Sequence, residues 1–162
     1  MTNSNPSSTQ QLPSNCRWIP IAILIVSFLG FLDASYLTIE HYRNVVPPCT
    51  LTSGCETVLT SSYAVMLGVP TSLWGALFYV IVFLLTLSYR NAPNRKRTLL
   101  LLEIVTIGFL ASLMFLYLQI YVLKSLCIYC LGSLGTSTLL FVAGLLLAIL
   151  SRSVWQPPGV SR

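Results

Sequence analysis

The sequence predicts an all-α integral membrane protein: a four-transmembrane-helix bundle with an extracytoplasmic loop and a short amphipathic capping helix. Three observations predict it. Of 162 residues, 55% are hydrophobic and only 8% are charged, and the mean hydropathy is +0.79. Four apolar runs are long enough to cross a bilayer, and one long polar connection separates the first two. A soluble domain cannot bury so much apolar surface, so lipid must surround most of the chain.

The N-terminal region predicts a polar arm and a first membrane helix. Residues 1–17 are expected to be a disordered cytoplasmic arm, because Ser, Asn, Thr and Pro dominate there without an apolar period. The helix is expected at about 18–40, and the absence of a clean cleavage site favours a retained helix over a signal peptide. Asp33 lies inside it, where an ionised carboxylate costs roughly 2.5 to 3.5 kcal/mol. We therefore expect Asp33 to face protein or water, as a structural acid or as part of a proton relay.

Residues 41–69 form the long polar connection, which we interpret as a redox loop. Two prolines near its start exclude a helix there. Cys49 and Cys55 follow, and the turn signal Ser53-Gly54 brings the two thiols within reach of each other. Apolar residues at helical spacing over Glu56 to Met66 predict a short amphipathic helix on the membrane surface.

The other three membrane helices are expected at about 70–89, 98–123 and 126–150, followed by a cytoplasmic tail at 151–162. Pro70 suits the first turn of the second helix. Lys124 and Ser125 form almost the whole connection between the last two helices, which should therefore make a tight hairpin. Cys127 and Cys130 open the fourth helix, and their spacing places both on one helix face.

The basic residues indicate the orientation of the four spans. Four spans put both termini on one side of the membrane. Of the nine Lys and Arg residues, only Arg43 and Lys124 fall on the opposite side. The positive-inside rule then makes the termini and the basic loop cytoplasmic, so both cysteine pairs lie on the outer face. The net charge of +5 is a topology signal, and no nucleic-acid partner is expected. The residues on the side of the termini are Arg17, Arg90, Arg95, Lys96, Arg97, Arg152 and Arg162.

Two cysteine pairs on one oxidising face predict thiol-disulfide exchange through a mixed disulfide. A helix N-terminus favours the thiolate, so at least one thiol of the Cys127/Cys130 pair should be activated. The sequence has no metal motif, nucleotide loop or haem signature, which leaves a membrane quinone as the expected electron acceptor. The alternatives are structural disulfides in a non-catalytic scaffold, or a zinc site, although zinc ligands usually lie on turns or ribbons. Cys16, on the cytoplasmic side, is expected to be a bystander.

Three segments together carry a specific family resemblance. The segments are Cys49-x5-Cys55-Glu56-x-Val58-Leu59-x-Ser61, Gly68-Val69-Pro70-Thr71 with Gly75, and Cys127-x-x-Cys130. They resemble the vitamin K epoxide reductase family, most of all its bacterial branch, over about Gly30 to Leu150, with Tyr36-Leu37-Thr38 in the first helix as a further match. DsbB-type oxidases, which carry the two cysteine pairs in the reverse order, are a weaker comparison.

The resemblance implies a role for each of the four cysteines. The family's fold would be a four-helix bundle around a quinone of the ubiquinone, menaquinone or vitamin K type. Cys49 would exchange with a separate thioredoxin-like (DsbA-like) extracytoplasmic protein, and Cys55 would relay by attacking Cys127. Cys130 would face the quinone. The expected outcome is a disulfide delivered to exported proteins and a quinol left in the plasma or inner membrane.

Two departures from the family pattern refine this expectation. Many bacterial members carry a fused thioredoxin-like domain after a fifth helix, and this chain has neither, so we expect a separate partner. Animal members hold vitamin K with an Asn and a Tyr, and Thr71 and Leu134 stand at those places here. That favours plain quinone reduction over reduction of vitamin K or its epoxide. Gln119, Thr71 and Trp74 are the candidate quinone contacts, because they are expected at the outer ends of their helices.

Overall fold

The computed structural model describes residues 18–45, residue 47 and residues 54–152. These residues hold four helices long and apolar enough to cross a membrane, which confirms the predicted all-α membrane bundle. The expected arm at 1–17, Cys49 and most of the expected tail lie outside the described residues. The spanning helices are α1 (Trp18–Tyr42), α3 (Thr71–Asn91), α4 (Arg95–Tyr117) and α5 (Ile128–Arg152), and a short helix α2 (Cys55–Leu59) lies in the loop.

Two of the helix starts that differ from the sequence-based expectation are those of α4 and α5. Helix α4 begins at Arg95 rather than at residue 98, because the side chain of Asn94 accepts a hydrogen bond of 3.2 Å from the backbone N–H of Lys96 and caps the first turn. Helix α5 begins at Ile128 rather than at residue 126. Cys127 therefore precedes the helix instead of lying in its first turn.

Neighbouring helices run antiparallel and approach each other closely where a small residue of one helix faces a residue of the other. Gly30 of α1 lies against the ring of Tyr79, where a Cβ atom would collide with it. A Cβ atom on Gly75 of α3 would lie 3.7 Å from the Cβ atom of Ala34, so α1 and α3 run in opposite directions. Gly144 of α5 similarly approaches Val105 of α4. Buried apolar side chains fill the space between the four helices.

Hydroxyl groups connect the helices inside the bundle. Because lipid tails are as apolar as Leu side chains, such polar contacts and close packing decide how membrane helices associate. They therefore fix the register of each helix against its neighbour. The contacts are Thr38 with Ser72 at 2.9 Å, Ser112 with Ser137 at 2.9 Å, and the Tyr79 hydroxyl with Thr136 at 2.6 Å and Ser133 at 3.0 Å.

The loop is less helical than its apolar spacing predicts. Helix α2 ends at Leu59, and a 3₁₀ turn (Ser62–Ala64) leads into a two-stranded hairpin of β1 (Val65–Met66) and β2 (Val69–Pro70). Leu67 and Gly68 connect the strands with φ of 55° and 79°, the left-handed conformation that a type I′ hairpin turn requires. The expected helix over Glu56 to Met66 extends only as far as Leu59, because Val65 and Met66 are instead paired with Pro70 and Val69 in the hairpin.

Candidate thiol site

The end of α4 is a wide helical turn that positions one buried amide side chain. Leu118–Val122 form a π-helical turn, in which the N–H of Leu123 donates to the carbonyl of Leu118 at 2.8 Å. Lys124 then adopts a left-handed φ of 50°, and the chain turns back towards α5. Gln119 is the second residue of this turn and is only 3% exposed. Its side chain is thus directed into the bundle and away from lipid.

The Gln119 side chain holds the backbone of Cys127. Its Oε1 atom accepts a hydrogen bond of 2.9 Å from the N–H of Cys127. The N–H of Ser125 donates to the Gln119 backbone carbonyl at 3.0 Å, so Gln119 holds both Ser125 and Cys127 of the connection between α4 and α5. The Gln119 oxygen thus positions Cys127, whereas the predicted hydrogen bond to a quinone carbonyl would come from the amide N–H groups of Gln119 and stays a prediction.

Replacing Gln119 by leucine should slow thiol exchange at Cys127. The buried N–H of Cys127 would lose its acceptor, which costs about 1–3 kcal/mol and lets the residue move. We expect disulfide exchange between the loop and the Cys127/Cys130 pair to slow roughly tenfold to hundredfold in stopped-flow experiments without quinone. The Gln119→Glu variant keeps an acceptor oxygen and should retain most of the rate. An unchanged exchange rate with a raised KM for quinone would instead make Gln119 a quinone ligand.

Cys127 occupies the N-cap position of α5. Its carbonyl accepts the first helical hydrogen bond, 3.0 Å from the N–H of Leu131. A hydrogen bond from the Cys130 thiol, aided by the backbone N–H groups of Cys130 and Tyr129, lowers the pKa of the Cys127 thiol to about 7. Burial and the charge of Asp33 oppose this shift. The activation expected at the helix N-terminus therefore falls on Cys127, which is a thiolate in part at neutral pH.

The loop places its second cysteine beside this pair. Cys55 and Cys127 are both completely buried. Gly54, immediately before Cys55, packs against the segment that leads into α5. A Cβ atom on Gly54 would lie 2.7 Å from the backbone nitrogen of Leu126 and 2.8 Å from its carbonyl oxygen. Residues 54 and 126 are thus in backbone contact, and each is followed directly by a cysteine. Cys55 and Cys127 therefore each lie one residue beyond this backbone contact.

The redox states of the cysteines differ between loop and helix. Cys55 is disulfide-bonded. Cys127 and Cys130 are free thiols, with Cys130 half-buried in the first turn of α5. The fourth candidate, Cys49, lies outside the described residues. The site therefore combines an oxidised loop cysteine with a reduced CxxC pair.

The two remaining quinone candidates lie apart from the thiols. Thr71 donates a hydrogen bond of 3.0 Å to the carbonyl of Tyr63, which fastens the start of α3 to the 3₁₀ turn. Trp74 is 46% exposed and faces outward. It contributes to two apolar hollows, one of about 280 Å³ between α3 and α4, and one of about 470 Å³ along α1 and α3. Neither hollow is lined by any of the described cysteines.

The hydroxyl groups of α5 that follow the CxxC pair, on Ser133 and Thr136, were not identified from the sequence. Ser133 and Thr136 both bond the Tyr79 hydroxyl, and Ser133 follows Cys130 by three residues on the same helix face. The ring of Tyr129 lies 5.9 Å from that of Tyr36. The three- and four-residue spacing of hydroxyls after Cys130 was a visible signal, but nothing in the sequence indicated their partner on α3.

The family comparison agrees with this geometry. The model of the vitamin K epoxide reductase family matches residues 21–145 of the 162-residue chain. The chain belongs to the vitamin K epoxide reductase family. The matched span contains all four spanning helices in large part, the loop and the CxxC pair, so the resemblance drawn from the motifs is confirmed. A vitamin K epoxide reductase family member is an integral, multi-pass membrane oxidoreductase with quinone-linked thiol chemistry.

Proposed function

We propose that this protein oxidises a separate thioredoxin-like partner and passes the electrons to a membrane quinone, so that exported proteins acquire disulfide bonds. The observation that carries the proposal is the backbone contact between Gly54 and Leu126, which sets Cys55 beside Cys127. Thiol-disulfide exchange requires one sulfur to attack another, so two cysteine sites can act in series only when they meet. Family membership supports the quinone as acceptor.

The proposed exchange begins at the loop. A partner dithiol reduces the disulfide between Cys49 and Cys55 and is itself oxidised to a disulfide. The Cys55 thiolate then attacks the sulfur of Cys127 in an oxidised Cys127–Cys130 pair, and Cys130 leaves as a thiol. Cys49 next attacks Cys55 and releases Cys127. Two electrons have then moved from the loop pair to the CxxC pair, and a disulfide at Cys55 beside two free thiols corresponds to this stage.

The pKa of Cys127 suits both halves of this exchange. A thiol that titrates at about pH 7 is partly thiolate under neutral conditions and is also a good leaving group. As the pH falls below 7, the Cys127 thiol is increasingly protonated and becomes a poorer nucleophile towards the loop disulfide in the reverse of this exchange. Exchange through Cys127 should therefore slow on acidification.

Cys130 is the thiol that we assign to the quinone side. A bound quinone would accept two electrons and two protons and become a quinol. Cys130 lies one turn inside α5 and is half-buried, and the hydroxyls of Ser133, Thr136 and Tyr79 lie deeper in the same part of the bundle. Hydroxyl groups of this kind can hydrogen-bond a quinone oxygen, so the residues fit such a ligand.

We further propose that the cysteines face the outside of the plasma or inner membrane. The basic residues of the α3–α4 connection lie at the opposite end of the bundle, where Arg97 donates hydrogen bonds of 2.6 Å and 2.8 Å to the carbonyls of Ser88 and Ala92. The positive-inside rule makes that end cytoplasmic. The thiols would then meet an oxidising compartment, in which disulfides persist.

The test supplies reduced DsbA-like protein and quinone to the purified protein. We expect quinol formation with ubiquinone or menaquinone, one quinol for each partner disulfide, and little turnover of vitamin K epoxide. Epoxide reduction at a comparable rate would favour the vitamin K reductase alternative. Failure to form quinol, together with thiols that resist alkylation after mild reduction, would identify a non-catalytic scaffold with structural disulfides.

A further inference from the structure

The connection between α3 and α4 carries positive charge that the protein itself does not balance. Arg90 lies in the last turn of α3, and Arg95 and Lys96 open α4; all three side chains, here called the basic cluster, are exposed. The nearest acid along α4 is Glu103, eight residues or about 12 Å away. The other acids of the sequence are Asp33, Glu40 and Glu56, which lie well inside α1, in its last turns and in the loop at the opposite end. The counter-charge of the basic cluster therefore comes from outside the protein.

The backbone that carries the basic cluster is held in one shape. Arg97 donates two hydrogen bonds to backbone carbonyls at the end of α3, and the Asn94 side chain caps the first turn of α4. Arg97 is thereby committed to the protein and is not counted in the cluster. Within the part of the chain that the structure describes, no ion pair involves any of the three cluster residues. An anion that binds there meets a framework that is already ordered, which lowers the entropic cost of binding.

The basic cluster lies at the level of the lipid headgroups. Trp18 begins α1 at the same end of the bundle and is 61% exposed, and exposed Trp side chains favour the membrane–water interface. Long Arg and Lys side chains at helix ends extend to that same level. The phosphate groups of a bilayer lie there, roughly 20 Å from its midplane. Lipid phosphate is therefore within reach of the three cations.

An apolar hollow lies between the same two helices, at the depth of the lipid tails. It has a volume of about 280 Å³ and is lined only by hydrophobic side chains. Ile81 of α3, at the end of the hollow nearest the cluster, lies nine residues or about 14 Å from Arg90, and Ile104 of α4 lies equally far from Arg95. The far end, at Trp74, is about 24 Å from Arg90. An acyl chain that runs from the headgroup level to the midplane, roughly 20 Å, thus ends inside the hollow.

We propose that the basic cluster and this hollow together bind one anionic phospholipid, of the phosphatidylglycerol class. The lipid phosphate accepts hydrogen bonds from Arg90, Arg95 and Lys96, and one acyl chain ends in the hollow between α3 and α4. Charge complementarity selects the lipid, because a zwitterionic headgroup brings an ammonium group that the three cations repel. The site lies at the end of the bundle opposite the thiols, so the proposal is independent of the thiol chemistry proposed above.

The test measures lipid retention by native mass spectrometry of the purified protein in micelles that contain phosphatidylglycerol and phosphatidylethanolamine in varied ratio. We expect the wild type to retain one phosphatidylglycerol in preference to phosphatidylethanolamine. Near a membrane surface each basic residue strengthens the binding of anionic lipid about fivefold. The single replacements Arg90→Gln, Arg95→Gln and Lys96→Gln should each lower the preference about fivefold, and the triple replacement roughly a hundredfold. Glutamine keeps the helix propensity of these exposed positions.

The matched control combines Arg43→Gln with Lys124→Gln, which removes two basic residues from the opposite end of the bundle. It should keep the full preference for phosphatidylglycerol, whereas the double variant Arg95→Gln with Lys96→Gln should lose most of it. Should the triple variant fail to fold, the wild type in 1 M salt decides, because screening over about 3 Å should abolish the preference.

Four results would each overturn the proposal. They are equal retention of the two lipids by the wild type, an unchanged preference in the cluster variants, an equal loss in the control variant, and a preference that survives 1 M salt. Inorganic phosphate at the concentration of the lipid distinguishes a lipid site from a plain anion site. It should leave the bound phosphatidylglycerol in place, because phosphate gains nothing from the hollow, and displacement of the lipid would refute its assignment as the ligand.

Discussion

Replacement of Cys130 by serine is expected to lower quinol formation by at least about a thousandfold, as removal of a covalently reacting group does in other enzymes. Serine is nearly the size of cysteine and fits the half-buried position in the first turn of α5. It cannot form the Cys127–Cys130 disulfide, so electrons that reach Cys127 have no route onward. The measurement is quinol absorbance with reduced partner and excess quinone.

The same variant should trap the exchange intermediate. In Cys130→Ser, the Cys127 thiolate can attack Cys55 in the loop disulfide with Cys49 as the leaving thiol. No Cys130 thiol is present to resolve the resulting disulfide, which only the reverse attack by Cys49 can break. Peptide mass spectrometry should then find residues 55 and 127 linked, because both cysteines are buried and each follows a residue of the Gly54–Leu126 backbone contact. Cys16→Ser is the control and should turn over normally. Full turnover by Cys130→Ser would show that another group faces the quinone.

Replacement of Gly54 by alanine should separate the loop from the CxxC pair. The backbone at Gly54, with φ of −95° and ψ of −2°, suits alanine, so strain arises only from contact. The new Cβ would lie 2.7 Å from the nitrogen of Leu126, and backbone atoms cannot rotate away as a flexible side chain could. Overpacking of this kind costs about 1–3 kcal/mol. Moving α2 outward relieves the strain but also withdraws Cys55 from Cys127.

We therefore expect Gly54→Ala to slow partner-dependent quinol formation roughly tenfold to hundredfold. Turnover with a small dithiol that reaches Cys127 without the loop should change much less. Gly132→Ala is the matched control, because no atom lies within 4 Å of a Cβ at that position of α5. Equal loss with both substrates would indicate that the Gly54 contact supports the fold rather than the relay.

The membrane helices could be predicted because their signals are strong and local. A run of some twenty apolar residues has few solutions other than a spanning helix. The four spans therefore agree with the structure to within a few residues. The connection from α4 to α5 could not be predicted, since the π-helical turn and the bond from Gln119 to Cys127 depend on packing across two helices. Gln119 was predicted as a quinone contact, which stays a prediction, and its bond to the Cys127 N–H was not foreseen.

The loop shows a different limit. Val58, Leu59, Val65 and Met66 fit a helical period, yet the last two form a strand. Periodicity over such a short stretch cannot separate a helix from a hairpin, and Gly68 was the overlooked turn signal. Trp74 was expected at the quinone on the basis of depth alone. The direction in which a side chain points around a helix depends on its neighbours, and Trp74 points towards the outer hollows.

The hydroxyl contacts inside the bundle also bear on how the protein is made. Each spanning helix satisfies its own backbone and can enter the bilayer as an independent unit before it meets the others. The pairing of Tyr79 with Ser133 and Thr136 can form only afterwards, when α3 and α5 lie side by side. Biosynthesis thus separates insertion from assembly. The position of Cys130, three residues before Ser133 on α5, is therefore fixed against α3 only in the assembled bundle.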